Sequence, residues 1–204
     1  MKPRVFILSP ASCGGRRAQI LLNEKARFEM ATRVRSPLGA PLGEVFSFLS
    51  GLYFRGKLAY AKAFARPAGR THGAMIITPN RGLLPADELV DTAVLRQFGE
   101  VPIDESDARY REPLARDMEA LVARLSPRTE VVLLGSIATG KYCNVLMEFL
   151  GRRLLFPSDF VGRGDMSRGG LLLRCVDEAR ELAYVPVEGA IRHGVRPAKL
   201  PRRP

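Results

Sequence analysis

Short, unbroken apolar runs that empty into turns of Gly, Ser, Pro and Asn constrain this chain more than any other feature. Val5–Leu8 runs into Ser9-Pro10-Ala11-Ser12-Cys13-Gly14-Gly15, and Ala74–Thr78 into Pro79-Asn80-Arg81-Gly82. The stretch Glu130–Arg174 repeats the pattern twice, first with EVVLL before Gly135–Tyr142 and then with Leu154–Phe156 before a loop rich in Gly, Arg and Asp. Runs of four or five residues without alternation read as strands buried on both faces, and amphipathic segments separate them. Leu114, Met118, Leu121, Val122 and Leu125 lie on one helical face. Helices are also expected over Ala18–Met30, as two short pieces within Glu44–Ala65, over Asp87–Gln97 and after Lys141, and a last strand over Leu182–Val187. Ser36–Gly43 reads as a loop. The order predicts an α/β fold, a three-layer α/β/α domain on a mostly parallel central sheet of about four to five strands. Residues 1–191 form one such domain. Residues 192–204 read as a basic, Pro-rich, disordered tail carrying Arg192, Arg196, Lys199, Arg202 and Arg203 without an acid.

In a parallel sheet ligands bind beyond the carboxyl ends of the strands, and the turns just named lie there. In the first, Gly14 and Gly15 allow close backbone approach, Ser12 offers a hydroxyl, and Arg16 and Arg17 open a helix. This reads either as an anion site or as a plain strand-to-helix turn with solvated arginines. Cys13 is either a nucleophile activated by that helix end or a small buried thiol. Tyr53, with Arg55 and Lys57, offers a ring for stacking beside phosphate ligands, or a half-buried Tyr beside solvated charges.

Gly135-Ser-Ile-Ala-Thr-Gly140-Lys141-Tyr142 has the outline of a nucleoside-triphosphate loop. Tyr142 stands where a Ser or Thr must hold Mg²⁺, which argues against a nucleoside triphosphatase. Ser136, Thr139 and Lys141 remain at a helix start, able to bind a phosphate, ribose or base edge; the alternative is an N-cap with a surface Lys. The densest polar segment follows Phe156. Asp159 and Asp165 are its candidate acid–base or base-reading carboxylates, with Arg163 and Arg168 as phosphate ligands. In Phe98–Pro113, Asp104, Glu105, Asp107 and Glu112 alternate with Arg109 and Arg111. No apolar wall there raises a pKa, so ion pairing competes with acid–base work.

Thirty-two Lys and Arg against 21 Asp and Glu give a net charge of +11 and a pI near 10.2. That excess favours polyanions, nucleic acid or nucleotide among them. No run reaches the ~20 apolar residues of a membrane span. The start MKPRVFIL mimics a leader, but Val5–Leu8 is short of an h-region of ~7–15 residues. Cys13, Cys143 and Cys175, with no CxxC, argue against a disulfide framework or structural zinc. A cytoplasmic protein with reduced thiols, no metal and no cofactor is expected.

Three pieces in this order, SPASCGGRR, LYFRGKLAYAKAF and IITPNRGLLPADELV, resemble a bacterial and phage α/β domain similar to the uracil-DNA-glycosylase-like domain of archaeosine synthase. The likeness spans about Val5–Val90. Neither a GQDPYH-type loop nor an HPSP-type loop is present, so uracil excision itself is not implied. What the resemblance implies is a pocket for a base or nucleotide, with Ser12, Cys13 and Arg16 in the first turn, Tyr53 in the second piece, and Arg81 to Leu83 in the third. The leading expectation is therefore a nucleobase- or nucleotide-directed enzyme, modifying or glycosylase-like, working on or with nucleic acid at the strand ends. The alternatives are a non-catalytic nucleic-acid-binding protein driven by the tail, and an enzyme on a small phosphorylated metabolite.

Overall fold

The computed structural model describes residues 2–198 and 200, so that Lys199, Arg202 and Arg203 of the tail lie outside the described residues. In chain order the elements are β1 (Arg4–Leu8), α1 (Arg16–Leu22), α2 (Glu29–Arg35), β2 (Ala40–Pro41), α3 (Leu42–Ser50), α4 (Leu52–Phe64), β3 (Ala74–Ile77), β4 (Leu83–Pro85) and β5 (Leu89–Val90). Then come α5 (Thr92–Glu100), α6 (Ala108–Arg124), β6 (Glu130–Leu134), α7 (Gly140–Leu150), β7 (Leu154–Pro157), α8 (Asp165–Asp177) and β8 (Tyr184–Pro186).

Six strands form one sheet in the order β4-β3-β1-β6-β7-β8. The inner four are parallel, and β4 and β8 run antiparallel at the edges. Helices flank the sheet, giving a three-layer α/β/α domain: α3, α4 and α8 pack together, as do α6 and α7. The apolar runs fill the centre, where Val5–Leu8 and Val131–Leu134 are fully buried. The sixth strand comes from a turn that folds back. Gly82, at φ +63°, lets Thr78 N donate to Gly82 O at 2.8 Å, so Leu83–Pro85 pairs with β3 instead of leaving the sheet.

Several helix boundaries differ from expectation for local reasons. Ala18–Met30 is not one helix. The Asn23 side chain accepts from Lys25 N at 2.9 Å, a local turn that competes with helix continuation, and α2 restarts at Glu29. Within Glu44–Ala65 the break falls at Gly51, φ +65°, and not at Gly56, which sits inside α4. Asp87–Gln97 divides into β5 and α5, with Asp91 capping the helix by accepting from Val94 N at 2.9 Å. Much of the polar segment after Phe156 is helical: α8 begins at Asp165, so the loop there spans only about Ser158–Gly164. The cause is contact between helices. A Cβ on Gly56 would lie 2.7 Å from Gly169 O, and one on Gly169 would lie 2.7 Å from Leu52 O. Glycines that look like loop punctuation here let α4 and α8 touch backbone to backbone.

Candidate functional site

β1 leads round to β3 on one side of it, while β6 lies on its other side. The chain segments leaving β1 and β6 therefore part over the sheet, and such a switch point is where open α/β sheets hold ligands. A cleft of about 1070 Å³ opens there, just above the ~300–1,000 Å³ usual for small-molecule sites. Residues 9–14 after β1 form one wall, 136–142 after β6 a second, and the α5–α6 connection a third.

The floor is built on a buried lysine. Lys57, 1% exposed, sits on the inner face of α4. It donates to Ser9 O at 2.6 Å and to Ser9 Oγ at 2.9 Å, and lies 4.6 Å and 4.5 Å from the ring centroids of Tyr53 and Phe54. Burial pulls its ammonium down from 10.5 to about 7; nearby Asp165 opposes that shift and Arg168 adds to it. Ser9 lines the cleft and Lys57 lies beneath it. Tyr142 stands beside Ser9. Burial pushes its phenol up to about 12, while hydrogen bonding to the Ser9 side chain and the Ser136 backbone works the other way. Tyr53 is also buried, and desolvation raises its pKa against the pull of nearby Arg168; among the described residues its hydroxyl meets no partner in full hydrogen-bonding geometry.

The rim is acidic. Glu100, Asp104, Glu105 and Asp165 line the cleft against one exposed lysine, Lys141. Asp104 accepts from Ser106 N at 3.0 Å and Ser106 Oγ at 2.8 Å, which holds its carboxyl below the usual range. Glu105 accepts from Asn144 Nδ2 at 2.9 Å. The arginines of this segment bind other acids: Arg109 pairs with Asp107 at 2.6 Å, and Arg111 with Glu148 at 2.7 Å. Ion pairing thus holds for Asp107, while Asp104 and Glu105 face the cleft.

Of the residues expected at the site, Ser12, Cys13, Gly14, Tyr53, Ser136, Thr139, Lys141 and Asp165 line this cleft. Gly15, Arg16, Arg81, Asp159, Arg163 and Arg168 do not. Arg16 is exposed at the start of α1, and Arg81 donates to Gln97 Oε1 at 3.0 Å. Asp159 was expected beside Ser12 and Ser136, but β7 lies one strand beyond the switch point. The chain there enters a tight turn that buries Phe160 and leaves Asp159 exposed. Arg163 and Arg168 brace this turn. Arg163 Nε donates to Asp159 O at 2.9 Å, and buried Arg168 donates to Phe160 O at 3.2 and 3.1 Å. Guanidiniums so engaged are not free phosphate ligands.

At two further residues the alternative of a buried side chain holds. The Cys13 thiol is 8% exposed, donates to Ala11 O at 3.8 Å, and is pushed up to about 12 by burial, the reverse of an activated nucleophile. Tyr53 cannot present an open stacking face, because Lys57 covers its ring and Phe160 meets it at 6.3 Å.

The sequence did not single out Ser9, marked Tyr142 only as the residue that spoils a nucleoside-triphosphate loop, and offered Lys57 only as a phosphate ligand beside Tyr53, a role its burial under Ser9 rules out. A signal existed for Lys57: it falls four residues after Tyr53 and four before Ala61, in the apolar stripe of α4. In the described tail, Arg192 Nη2 reaches Asn144 Oδ1 at 3.5 Å. Among the described residues no group of three or more His, Cys, Asp or Glu could hold a metal ion, and no helix is long and apolar enough to cross a membrane. Comparison with protein-family models, with curated proteins and with solved structures gave no match.

Proposed function

We propose that this protein is an enzyme directed at a nucleobase or nucleotide, bound in the cleft at the ends of β1 and β6. The observation that carries the reading is the composition of that cleft. Phe98, Val101 and Ile103 supply apolar wall for a flat ring, while Ser12, Ser136, Asp104 and Asp165 offer hydroxyl and carboxylate partners for ring nitrogens and exocyclic amines. The resemblance of the first turn and of α4 to a uracil-DNA-glycosylase-like domain points the same way. Four carboxylates against one lysine repel a phosphate, so the base end enters and any phosphate stays outside. The same balance disfavours a small phosphorylated metabolite. The net charge of +11 resides elsewhere and favours a base carried by a nucleic acid.

The test is a thermal-shift screen of the full chain and of a chain lacking residues 192–204, against nucleobases, nucleosides, nucleotides and short single-stranded DNA and RNA. A ligand at 100 times its Kd adds about 2.7 kcal/mol, a rise in Tm of roughly 5–10 °C for a chain of this size. Stabilisation by a base or nucleoside that Asp165→Asn abolishes supports the reading. If only DNA or RNA acts, and deleting residues 192–204 removes the effect while Asp165→Asn does not, the protein is a tail-driven binder. If only phosphorylated sugars act, the base reading ends.

A further inference from the structure

We infer that Ser9 is a nucleophile for acyl transfer and that Lys57 is its general base. The inference rests on the cleft being the reaction site, and not on the ligand being a base.

The geometry separates the two roles. Ser9 follows β1 and lines the cleft, whereas Lys57 is not part of the lining and lies enclosed beneath it, in contact with Ser9 and with the ring of Tyr53. A neutral amine in this position donates one hydrogen to Ser9 O at 2.6 Å and takes the Ser9 hydroxyl proton along the 2.9 Å line to Oγ. The carbonyl contact fixes the amine, so the lone pair is already aimed at the hydroxyl. Desolvation leaves Lys57 about half uncharged near neutrality, although the groups facing it favour the ammonium on balance. On α4 these are the Tyr53 and Phe54 rings; on α8 they are Arg168, which disfavours the ammonium, and Asp165, which favours it but is 69% exposed and partly engaged by Arg168. With desolvation added, the amine titrates at about 7. A lysine needed only to tether β1 would be served as well by an ammonium in contact with a carboxylate. No such contact is made among the described residues. Tyr142, on the cleft side of Ser9, places a second hydroxyl beside the reacting oxygen.

The rim selects the electrophile. Four carboxylates disfavour an anionic phosphoryl group, so the acceptor is the uncharged carbonyl carbon of an ester or amide. In the forward step the Ser9 Oγ–carbon bond forms as the hydroxyl proton passes to Lys57 Nζ. The bond from that carbon to the alcohol or amine then breaks, and the leaving group takes the proton from Lys57. Water reverses the sequence: its proton goes to Lys57, its oxygen bonds to the acyl carbon, and the released Ser9 oxygen recovers the proton.

An alkyl fluorophosphonate tests this directly, because Ser9 Oγ would bond to phosphorus with loss of fluoride. The full chain is incubated with the probe at pH 6, 7.5 and 9, then followed by intact mass and peptide mapping. The expected result is a single adduct on Ser9, formed at a rate that rises through about pH 7 and levels above it. Ser9→Ala should give none, and Lys57→Met, shown folded by circular dichroism, should slow labelling by about 100-fold or more. No adduct on the wild type, an adduct on another residue, or equal labelling of Ser9→Ala overturns the inference. So does an unchanged rate in folded Lys57→Met. If Lys57→Met does not fold, the Ser9→Ala comparison and the wild-type pH profile decide alone. Labelling at Ser9 with no stabilisation by any base leaves this assignment standing and ends the base reading; the opposite pattern does the reverse.

Discussion

Burying Lys57 ties the stability of the fold to pH in a way that one substitution isolates. In the unfolded chain the ammonium titrates near 10.5, and in the folded chain near 7. Between those values the unfolded chain holds the extra proton, so raising the pH favours the folded state, and the benefit is lost as pH falls through 7. The full interval is worth about 5 kcal/mol at ~1.4 kcal/mol per tenfold. Between pH 6 and 9.5 this one group changes the unfolding free energy by about 3 kcal/mol, since at 9.5 the unfolded lysine still holds most of its proton. The side chain is fully enclosed, so solvent screening does not reduce the figure. Lys57→Met keeps most of the packing and removes the titration. Urea denaturation of both proteins at half-unit steps from pH 6 to 9.5 gives two stability curves, and other titrations cancel in their difference. The variant should gain on the wild type as pH falls, by about 3 kcal/mol across the range, or roughly 1.5 M in midpoint at an m-value of about 2 kcal/mol/M. Parallel curves would mean that Lys57 stays charged in the fold, and the argument for its role at Ser9 would fall with them.

Two other substitutions probe the same region. Tyr53→Phe removes a buried hydroxyl that meets no well-formed hydrogen bond among the described residues, only the nearby Arg168, so it should leave chemical stability unchanged or raise it by up to about 1 kcal/mol, while weakening any ligand found in the thermal screen. A loss of 2 kcal/mol without ligand would show that the hydroxyl is satisfied. Gly169→Ala places a Cβ 2.7 Å from Leu52 O and 2.8 Å from Tyr53 Cα, both backbone. Overpacking of that kind costs up to about 3 kcal/mol, and alanine returns ~1 kcal/mol of helix propensity. A net loss of about 2 kcal/mol in urea denaturation is expected, and a neutral result would mean that α4 and α8 can separate.

The inner strands were legible because burial on both faces writes itself as unbroken apolar runs such as VFIL and VVLL. The location of the site followed from them, since parallel strands send their turns to one end, and Ser12, Ser136 and Lys141 do share one cleft. What could not be read depends on partners distant in sequence. Gly169 resembles part of a loop until the backbone of α4 is seen against it. Asp159 has the residue type of a site carboxylate but sits one strand from the switch point, a distinction set by sheet order and not by spacing. Lys57 gains its character from Ser9, 48 residues away. Only its place among Tyr53, Phe54 and Ala61 on α4 marked it in advance.

That the cleft lies between β1 and β6 also sets the order in which it can be assembled. Residues 4–85 contain β1, β3 and β4, so half the sheet can pair, and Lys57 can reach Ser9, before β6 has been synthesised. The wall that carries Ser136 and Tyr142 arrives more than 120 residues after β1, and its closure waits on contacts of that separation, which fold slowly. A nascent or truncated chain would therefore hold its nucleophile in place with the far wall missing and the edge of β1 unpaired. The interval between those two events is when this chain is most exposed to pairing with a wrong strand.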